Sequence, residues 1–269
     1  MMSKLIFVSN DDGIESPGLR AAVEAALPLG DVLVAAPTRQ GTSMGRSLRG
    51  RPDERFQKID FEVDGRQVRA YHLDCSPAMA VKHGLDVLCP DRLPDLVISG
   101  INYGENLGVH ITHSGTVGAA LQGTAKGIPA VAASLQTGFE HHFNYGDLDW
   151  RAAIHHVRYF AASLLSQKMP FDVEILKVDV PADATPDTPW RITRLARQPY
   201  YTSTVDKPSP ESKIGDARLQ IEIDYDLLEN DSDIQALAVD GVVSVTPLSL
   251  DLTARIDLQS LAKNIRSQK

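Results

Sequence analysis

The stretch Leu5-Ile6-Phe7-Val8-Ser9-Asn10-Asp11-Asp12-Gly13 decides how the rest of the chain is read. Successive apolar residues mark a strand buried on both faces, the pattern of a parallel sheet. The polar run behind them therefore leaves the sheet at its carboxyl edge. Neighbours on a regular strand point to opposite faces, so Asp11 and Asp12 serve one site only if the backbone turns there, and Gly13 permits that turn. Two carboxyl groups crowded together repel, and one takes up a proton unless a cation intervenes; a hard divalent cation accepts oxygen ligands of this kind. Asp-Asp-Gly alone also fits a simpler arrangement, in which one aspartate caps the helix beginning after Pro17 and the other is solvated.

Outward from that stretch, Leu19, Val23 and Leu27 recur at helical spacing until Pro28 and Gly30 end the run, and Asp31 to Pro37 predicts the next strand. Strand, helix and strand in succession form a βαβ unit with a right-handed crossover. The loop Thr38 to Ser47, rich in hydroxyls and carrying Arg39 and Arg46, then emerges at the same edge as the acids. It can offer an oxygen to a metal or guanidinium groups to phosphate, or be an ordinary surface loop.

Phe61 to Tyr71 alternates and predicts a small hairpin turning at Asp64-Gly65. Ser76 and Pro77 open a helix through Ala78, Val81 and Leu85, with Ser76 as its cap. Leu96-Val97-Ile98 is another short buried strand, and the Gly- and Asn-rich turn from Ser99 to Gly108 returns to the acidic edge, where Asn102 can complete an oxygen shell without adding charge. From His113 to Gly127 small residues predict a helix capped by Ser114 or Thr116. Its free N–H groups and positive dipole end make an anion site, or else the glycines merely allow close packing on a sheet. Ile128 to Ser134 and Asp172 to Val180 are further strands, separated by a helix within Asp147 to Met169 whose stripe is Trp150, Ile154, Val157, Ala161 and Leu164.

Trp190 to Leu195 and Ala217 to Asp224 alternate cleanly and predict the two strands of a protruding ribbon suited to subunit contact. A short helix at Asp231 to Val239, a strand at Val242 to Thr246 and a closing segment at Pro247 to Leu252 follow. Among the histidines, His110 and His113 flank the expected site, as phosphate donors, a general acid or plain loop residues, whereas His141 and His142 are expected to be solvated.

The 269 residues, 43% of them hydrophobic, can supply the core of one large α/β domain. A formal charge of −8 without a basic run argues against a nucleic-acid partner. No apolar stretch is long enough to cross a membrane, no secretion signal is evident, and Cys75 and Cys89 lack CxxC spacing, so a soluble cytoplasmic protein with reduced thiols is expected.

Several blocks, taken in order, resemble the SurE survival-protein family of nucleotidases: Val8-Ser9-Asn10-Asp11-Asp12-Gly13 with Pro17-Gly18; Ala36-Pro37 with its loop; Ser99-Gly100-Ile101-Asn102 with Gly104 and Asn106; Ser114-Gly115-Thr116-Val117-Gly118-Ala119-Ala120; and Ser244-Val245-Thr246-Pro247-Leu248 with Asp251-Leu252-Thr253. The resemblance implies an α/β fold with a Rossmann-like, mostly parallel sheet flanked by helices, a protruding β-hairpin and a C-terminal exchange element. On that scheme the core runs over about 1–180, the arm over 181–230 and the segment for oligomer contacts over 231–269 of a single domain. It further implies a divalent-metal-dependent phosphomonoesterase acting on nucleoside 5′-monophosphates, with 3′-monophosphates and short polyphosphate as variants, assembled as a homodimer or homotetramer.

One cation per subunit is implied, Mg or Mn, with Ca able to replace it in crystals. Its ligands fall on Asp11, Asp12, Asn102 and a hydroxyl of the loop after Pro37. The family has Ser-Gly where this chain has Thr42-Ser43, so spacing puts Thr42 at the ligand position and leaves Ser43 as the alternative. Catalytic roles fall on Asp11, Asp12 and Asn102, and phosphate-binding roles on Asn106, Ser114, Gly115 and Thr116. Two departures bear on substrate preference: Cys75-Ser76-Pro77-Ala78-Met79-Ala80 stands for Gly-Thr-Pro-Ala-Asp-Cys, and Lys177-Val178-Asp179-Val180-Pro181 for Asn-Val-Asn-Val-Pro. Phosphate transfer can use attack by water or by Asp11 itself. A non-catalytic nucleotide- or phosphate-binding sensor is the rival on the same fold.

Overall fold

Ile6 and Val8 pack to one side of the strand they share and Phe7 to the other. An uninterrupted apolar run is what a strand covered on both faces requires. The computed structural model describes residues 3–142 and 144–267.

In chain order the elements are β1 (Leu5–Ser9), α1 (Pro17–Ala26), β2 (Asp31–Pro37), β3 (Gln57–Ile59), β4 (Glu62–Val63), β5 (Arg66–Gln67), β6 (Arg69–Leu73), α2 (Pro77–Val87), β7 (Leu96–Tyr103), α3 (Gly115–Thr124), β8 (Ala130–Leu135), α4 (Arg151–Ser166), β9 (Ile175–Val180), β10 (Trp190–Ile192), β11 (Tyr201–Val205), β12 (Ala217–Ile221), β13 (Val243–Leu248) and α5 (Leu258–Arg266). Nine strands form one sheet in the order β10-β13-β9-β8-β7-β1-β2-β6-β3. From β6 to β9 every pairing is parallel; β3 and β13 join antiparallel, and β10 pairs parallel with β13. Helices α1 and α4 cover one face and α2 and α3 the other, so the expected mostly parallel sheet flanked by helices is what the chain builds.

Chain order reverses between β1 and β7. The strands run outward from β1 through β2 to β6, then return by α2 to start β7 on the opposite side of β1. Such a reversal opens a crevice outside the carboxyl ends of the strands, where ligands bind in open α/β sheets.

Four expectations need correction. The hairpin at Asp64-Gly65 exists only as β4 and β5, and Arg69 onward leaves it to pair with β2 as a main-sheet strand. Trp190–Ile192 is not half of a ribbon. It pairs with β13, and the ribbon is made by β11 and β12; Thr202, Ser203 and Thr204 give β11 a polar pattern that alternation does not pick out. Ser76 occupies the cap position of α2 without capping it. Its hydroxyl donates to Ser47 O at 2.5 Å and accepts from Arg49 N at 2.9 Å, fastening the preceding loop instead. Finally, α5 follows the closing segment, with Leu258, Leu261 and Ile265 exposed on its turns; the predicted segment to residue 269 is described only to 267. Among the described residues no helix is long and apolar enough to cross a membrane.

Candidate active site

Asp11 and Asp12 lie just beyond β1, in the crevice, 3% and 1% exposed. The side chain of Asn10 closes the turn that puts them there: its Nδ2 donates to Gly13 O at 3.0 Å and its Oδ1 accepts from Gly13 N at 3.2 Å. Gly13 adopts φ +101°, and a Cβ on it would come within 3.1 Å of the Arg39 backbone, so glycine is required both for the turn and for the neighbouring loop. Neither aspartate caps α1, whose cap position is Ser16, and neither is solvated. The simpler reading of Asp-Asp-Gly therefore falls.

Each carboxylate is held by separate neighbours. Asp11 Oδ1 accepts from Thr116 Oγ1 at 2.5 Å, while its main-chain oxygen accepts from Gly41 N at 2.6 Å. Asp12 Oδ1 accepts from Gln40 Nε2 at 3.0 Å and Oδ2 from Tyr103 N at 3.1 Å, and the Tyr145 hydroxyl donates to its main-chain oxygen at 2.6 Å. No lysine or arginine among the described residues acts on either group. Burial raises the Asp11 pKa above the ordinary carboxyl range although the Thr116 hydroxyl opposes it. Burial and then the Asp11 charge raise that of Asp12 further.

Asn102 sits where β7 loses register with β8, between Ser99 and Asn102. Such bulges re-aim side chains beside sites, and Gly100 allows this one because a Cβ there would lie 2.3 Å from Ala133 O. The Asn102 amide donates to Gly104 O at 2.6 Å and Tyr103 O at 3.2 Å, which turns its carbonyl oxygen the other way. Asp11, Thr42, Ser43, Asn102, Asn106 and Ser114 all line one cavity of about 360 Å³. Ser43 adopts φ +62°, the left-handed region that favours glycine. The loop carrying Thr42 and Ser43 is tied to the crevice at both ends, by Gly41 N to Asp11 O and by Gly45 N to His113 O at 2.9 Å.

The start of α3 abuts the acids. Ser114 is its cap, with Oγ accepting from Val117 N at 3.1 Å. A Cβ on Gly115 would lie 2.7 Å from Asp11 Cβ and Oδ2. Thr116 does not cap the helix; its hydroxyl is used on Asp11. Asn106 lines the cavity with its Nδ2 donating to Ser134 Oγ at 2.8 Å.

A cation suits this donor set. Asp11 shares its cavity with the neutral hydroxyl and amide oxygens of Thr42, Ser43 and Asn102, which are ligands for a hard dication. Asp12, whose oxygens accept from Gln40 and Tyr103 N, does not line that cavity but adds a second buried acid directly behind it. Among the described residues no three of His, Cys, Asp and Glu converge, so any cation here is held by two acids with neutral oxygens and water.

Sequence reading missed Gln40, which bridges Asp12 and His142 O (2.7 Å), and Tyr145. It also placed His142 in solvent. His142 instead is half-buried against Gly104, edge-on to Tyr201 at 5.9 Å, with its pKa lowered by burial. His110 and His113 stack at 5.3 Å on the cavity wall, and Tyr201, Thr202, Ser203 and Leu219 of the ribbon form another wall. Only the positions of Gly104 and Gly13 gave a signal in sequence, as glycines where chain approaches chain.

Comparison with known proteins bears on this arrangement. The family described as "Survival protein SurE" matches residues 6–202. The "5'-nucleotidase SurE" of Thermococcus gammatolerans is 38% identical over 266 residues, covering 97% of this chain and 95% of its own, and that of Methanothrix thermoacetophila is 36% identical over 261 residues, covering 94% and 95%. The crystal structure of the SurE protein from Aquifex aeolicus superposes with a TM-score of 0.76 at 31% identity, over 98% of this chain and 99% of that one. With the acids, Asn102 and the start of α3 gathered at the reversal of the sheet, and with this breadth of match, the chain belongs to the SurE survival-protein family.

Proposed function

We propose that the chain is a divalent-cation-dependent 5′-nucleotidase, a phosphomonoesterase releasing phosphate from nucleoside 5′-monophosphates. The observation that carries this reading is a pair of adjacent buried carboxylates, of which Asp11 opens to a cavity shared with Thr42, Asn102 and the helix cap Ser114 while Asp12 is held behind it by Gln40 and Tyr103 N. The names of the relatives, each a 5′-nucleotidase SurE, support it.

Asp11, Asp12, Asn102 and Thr42 would hold the cation, Mg or Mn, one per subunit. The left-handed backbone at Ser43 supports Thr42 as the ligand, because it marks Ser43 as the residue standing for glycine. A bound cation supplies positive charge to a phosphate oxygen and to the attacking water. Ser114, the Gly115 and Thr116 amides and Asn106 receive the remaining phosphate oxygens, with the α3 dipole favouring the negative charge as it redistributes. Gln40 and Tyr145 hold the Asp12 segment still, and Thr116 orients Asp11. Tyr201, Thr202 and Ser203 face the cavity where the nucleoside would lie. The Thr116 hydroxyl donated to Asp11 Oδ1 fixes that carboxylate and leaves Oδ2 for the cation. A single turnover in heavy-oxygen water separates attack by water from attack by Asp11, because label entering the carboxylate defeats direct water attack.

Leu252, 90% exposed, and Leu258 and Ile265, 61% and 64% exposed, support a homodimer or homotetramer assembled through the C-terminal residues, with the β11–β12 ribbon as the arm, while β10 and β13 extend the core sheet beyond the 1–180 boundary expected from the sequence. The absence of a basic run and of a membrane-crossing helix among the described residues supports a cytoplasmic enzyme of small nucleotides.

The test is phosphate release from a panel of nucleoside 5′- and 3′-monophosphates and short polyphosphates, with Mg, Mn or chelator. Release from 5′-monophosphates that saturates with metal and stops with chelator is expected. Binding without turnover at any metal concentration would instead identify a sensor.

A further inference from the structure

Lys177 is wholly buried in β9, where the family pattern has asparagine, and so are its two partners. Its ammonium contacts Asp179 and lies 3.2 Å from Asp233. The carboxylates face outward from this ion triad onto backbone that builds the site. Asp179 Oδ1 accepts from Asn106 N at 2.8 Å, and Asp233 Oδ2 accepts from Gly108 N at 3.0 Å. Asp233 Oδ1 also accepts from Ala196 N at 2.9 Å, in the segment leading to Tyr200 and the ribbon. Two amides of the turn that carries Asn106 into the cavity thus hang on acids neutralised by one lysine. Gly108 cannot be replaced to compensate, because it adopts φ +58° and a Cβ would lie 2.5 Å from Gln198 O.

We infer that Lys177, Asp179 and Asp233 are positioning residues for phosphate transfer: the triad sets the Asn106–Gly108 turn against the start of α3 and joins it to the ribbon on the other wall. A carboxylate accepts at both oxygens, whereas an amide accepts at one. An asparagine at 179 therefore serves Lys177 or Asn106 N but not both. A turn displaced by a fraction of an ångström misplaces contacts whose value lies in the transition state. The inference rests on the nucleotidase reading of the site.

The experiment uses the full chain with Asp179→Asn, assayed well below its thermal midpoint so that all molecules are folded. Expected are a fall in kcat of at least tenfold with KM within threefold of the parent, an unchanged Mn-induced shift in thermal midpoint, and hydrogen exchange of the Asn106 amide at least tenfold faster. A role in stability alone lowers the midpoint and leaves kcat in place. Should Asp179→Asn not fold, Lys177→Gln, whose amide can still donate to both acids but brings no charge to balance them, is read by the same criteria. A kcat within twofold of the parent, or unchanged exchange at Asn106, overturns the inference. A parent chain without turnover defeats the nucleotidase reading instead, and the exchange measurement still decides whether the triad holds the turn.

Discussion

Thr116 Oγ1 lies 2.5 Å from Asp11 Oδ1, so the first residue of α3 with a side chain hydroxyl is spent on an acid of β1's turn. Thr116→Val keeps shape and removes that donor, leaving a buried carboxylate oxygen unpaired. A loss of about 1–3 kcal/mol in unfolding free energy is expected, with activity reduced and Thr116→Ser close to the parent. Urea denaturation of the three proteins checks it.

Asp11→Asn retains an acceptor for Thr116 and removes one charge from a buried like-charge pair. Stability and activity then move in opposite directions. Turnover falls ~10²-fold or more. The metal-free thermal midpoint rises by about 2–4 °C for each kcal/mol of repulsion relieved, and added Mn no longer shifts it. Calorimetry with and without Mn reads both effects.

At Gly115 the obstacle is steric. A methyl group there meets Asp11 Cβ and Oδ2 at 2.7 Å, so Gly115→Ala displaces Asp11 or the helix start. The expected cost is about 1–3 kcal/mol, with loss of phosphate release. Gly215→Ala, where a Cβ meets nothing within 4 Å, is the control and changes stability by less than about 0.5 kcal/mol.

His156 is 3% exposed, with Nε2 buried and unpartnered among the described residues. Burial, and secondarily His155, lowers its pKa. The unfolded chain then takes up a proton before the folded one does. Stability at this residue is complete above the ordinary imidazole value of about 6.5 and is lost as pH falls below it. The thermal midpoint should drop from pH 7 toward pH 5, and His156→Gln should flatten that slope.

The sheet was legible because β1, β2, β7 and β8 each carry an apolar run ended by polar residues or proline, and β9 keeps strand-forming residues around its buried Lys177 and Asp179. Burial on both faces writes itself into sequence as such a run. The gathering of Asp11, Asn102 and Ser114 followed from parallel strands sharing one carboxyl edge. Gln40 and Tyr145 were not legible, because they reach Asp12 through side-chain contacts across loops whose paths carry no periodicity. Trp190–Ile192 misled for a physical reason. An edge strand with one open face alternates just as a ribbon does, and only its pairing with β13 tells the two apart. The buried triad showed in sequence only as a departure, Lys177 and Asp179 in place of two asparagines; Asp233, in a segment predicted as an ordinary short helix, completes it.

On the proposed function, Asp11, Asp12, Asn102 and Thr42 hold one dication. Anomalous diffraction from crystals soaked in Mn tests it most directly. One peak per chain is expected at about 2.0–2.4 Å from oxygens of both aspartates and of Asn102, absent in Asp11→Asn. A peak elsewhere, or none in crystals whose dissolved protein still releases phosphate with Mn, would contradict it.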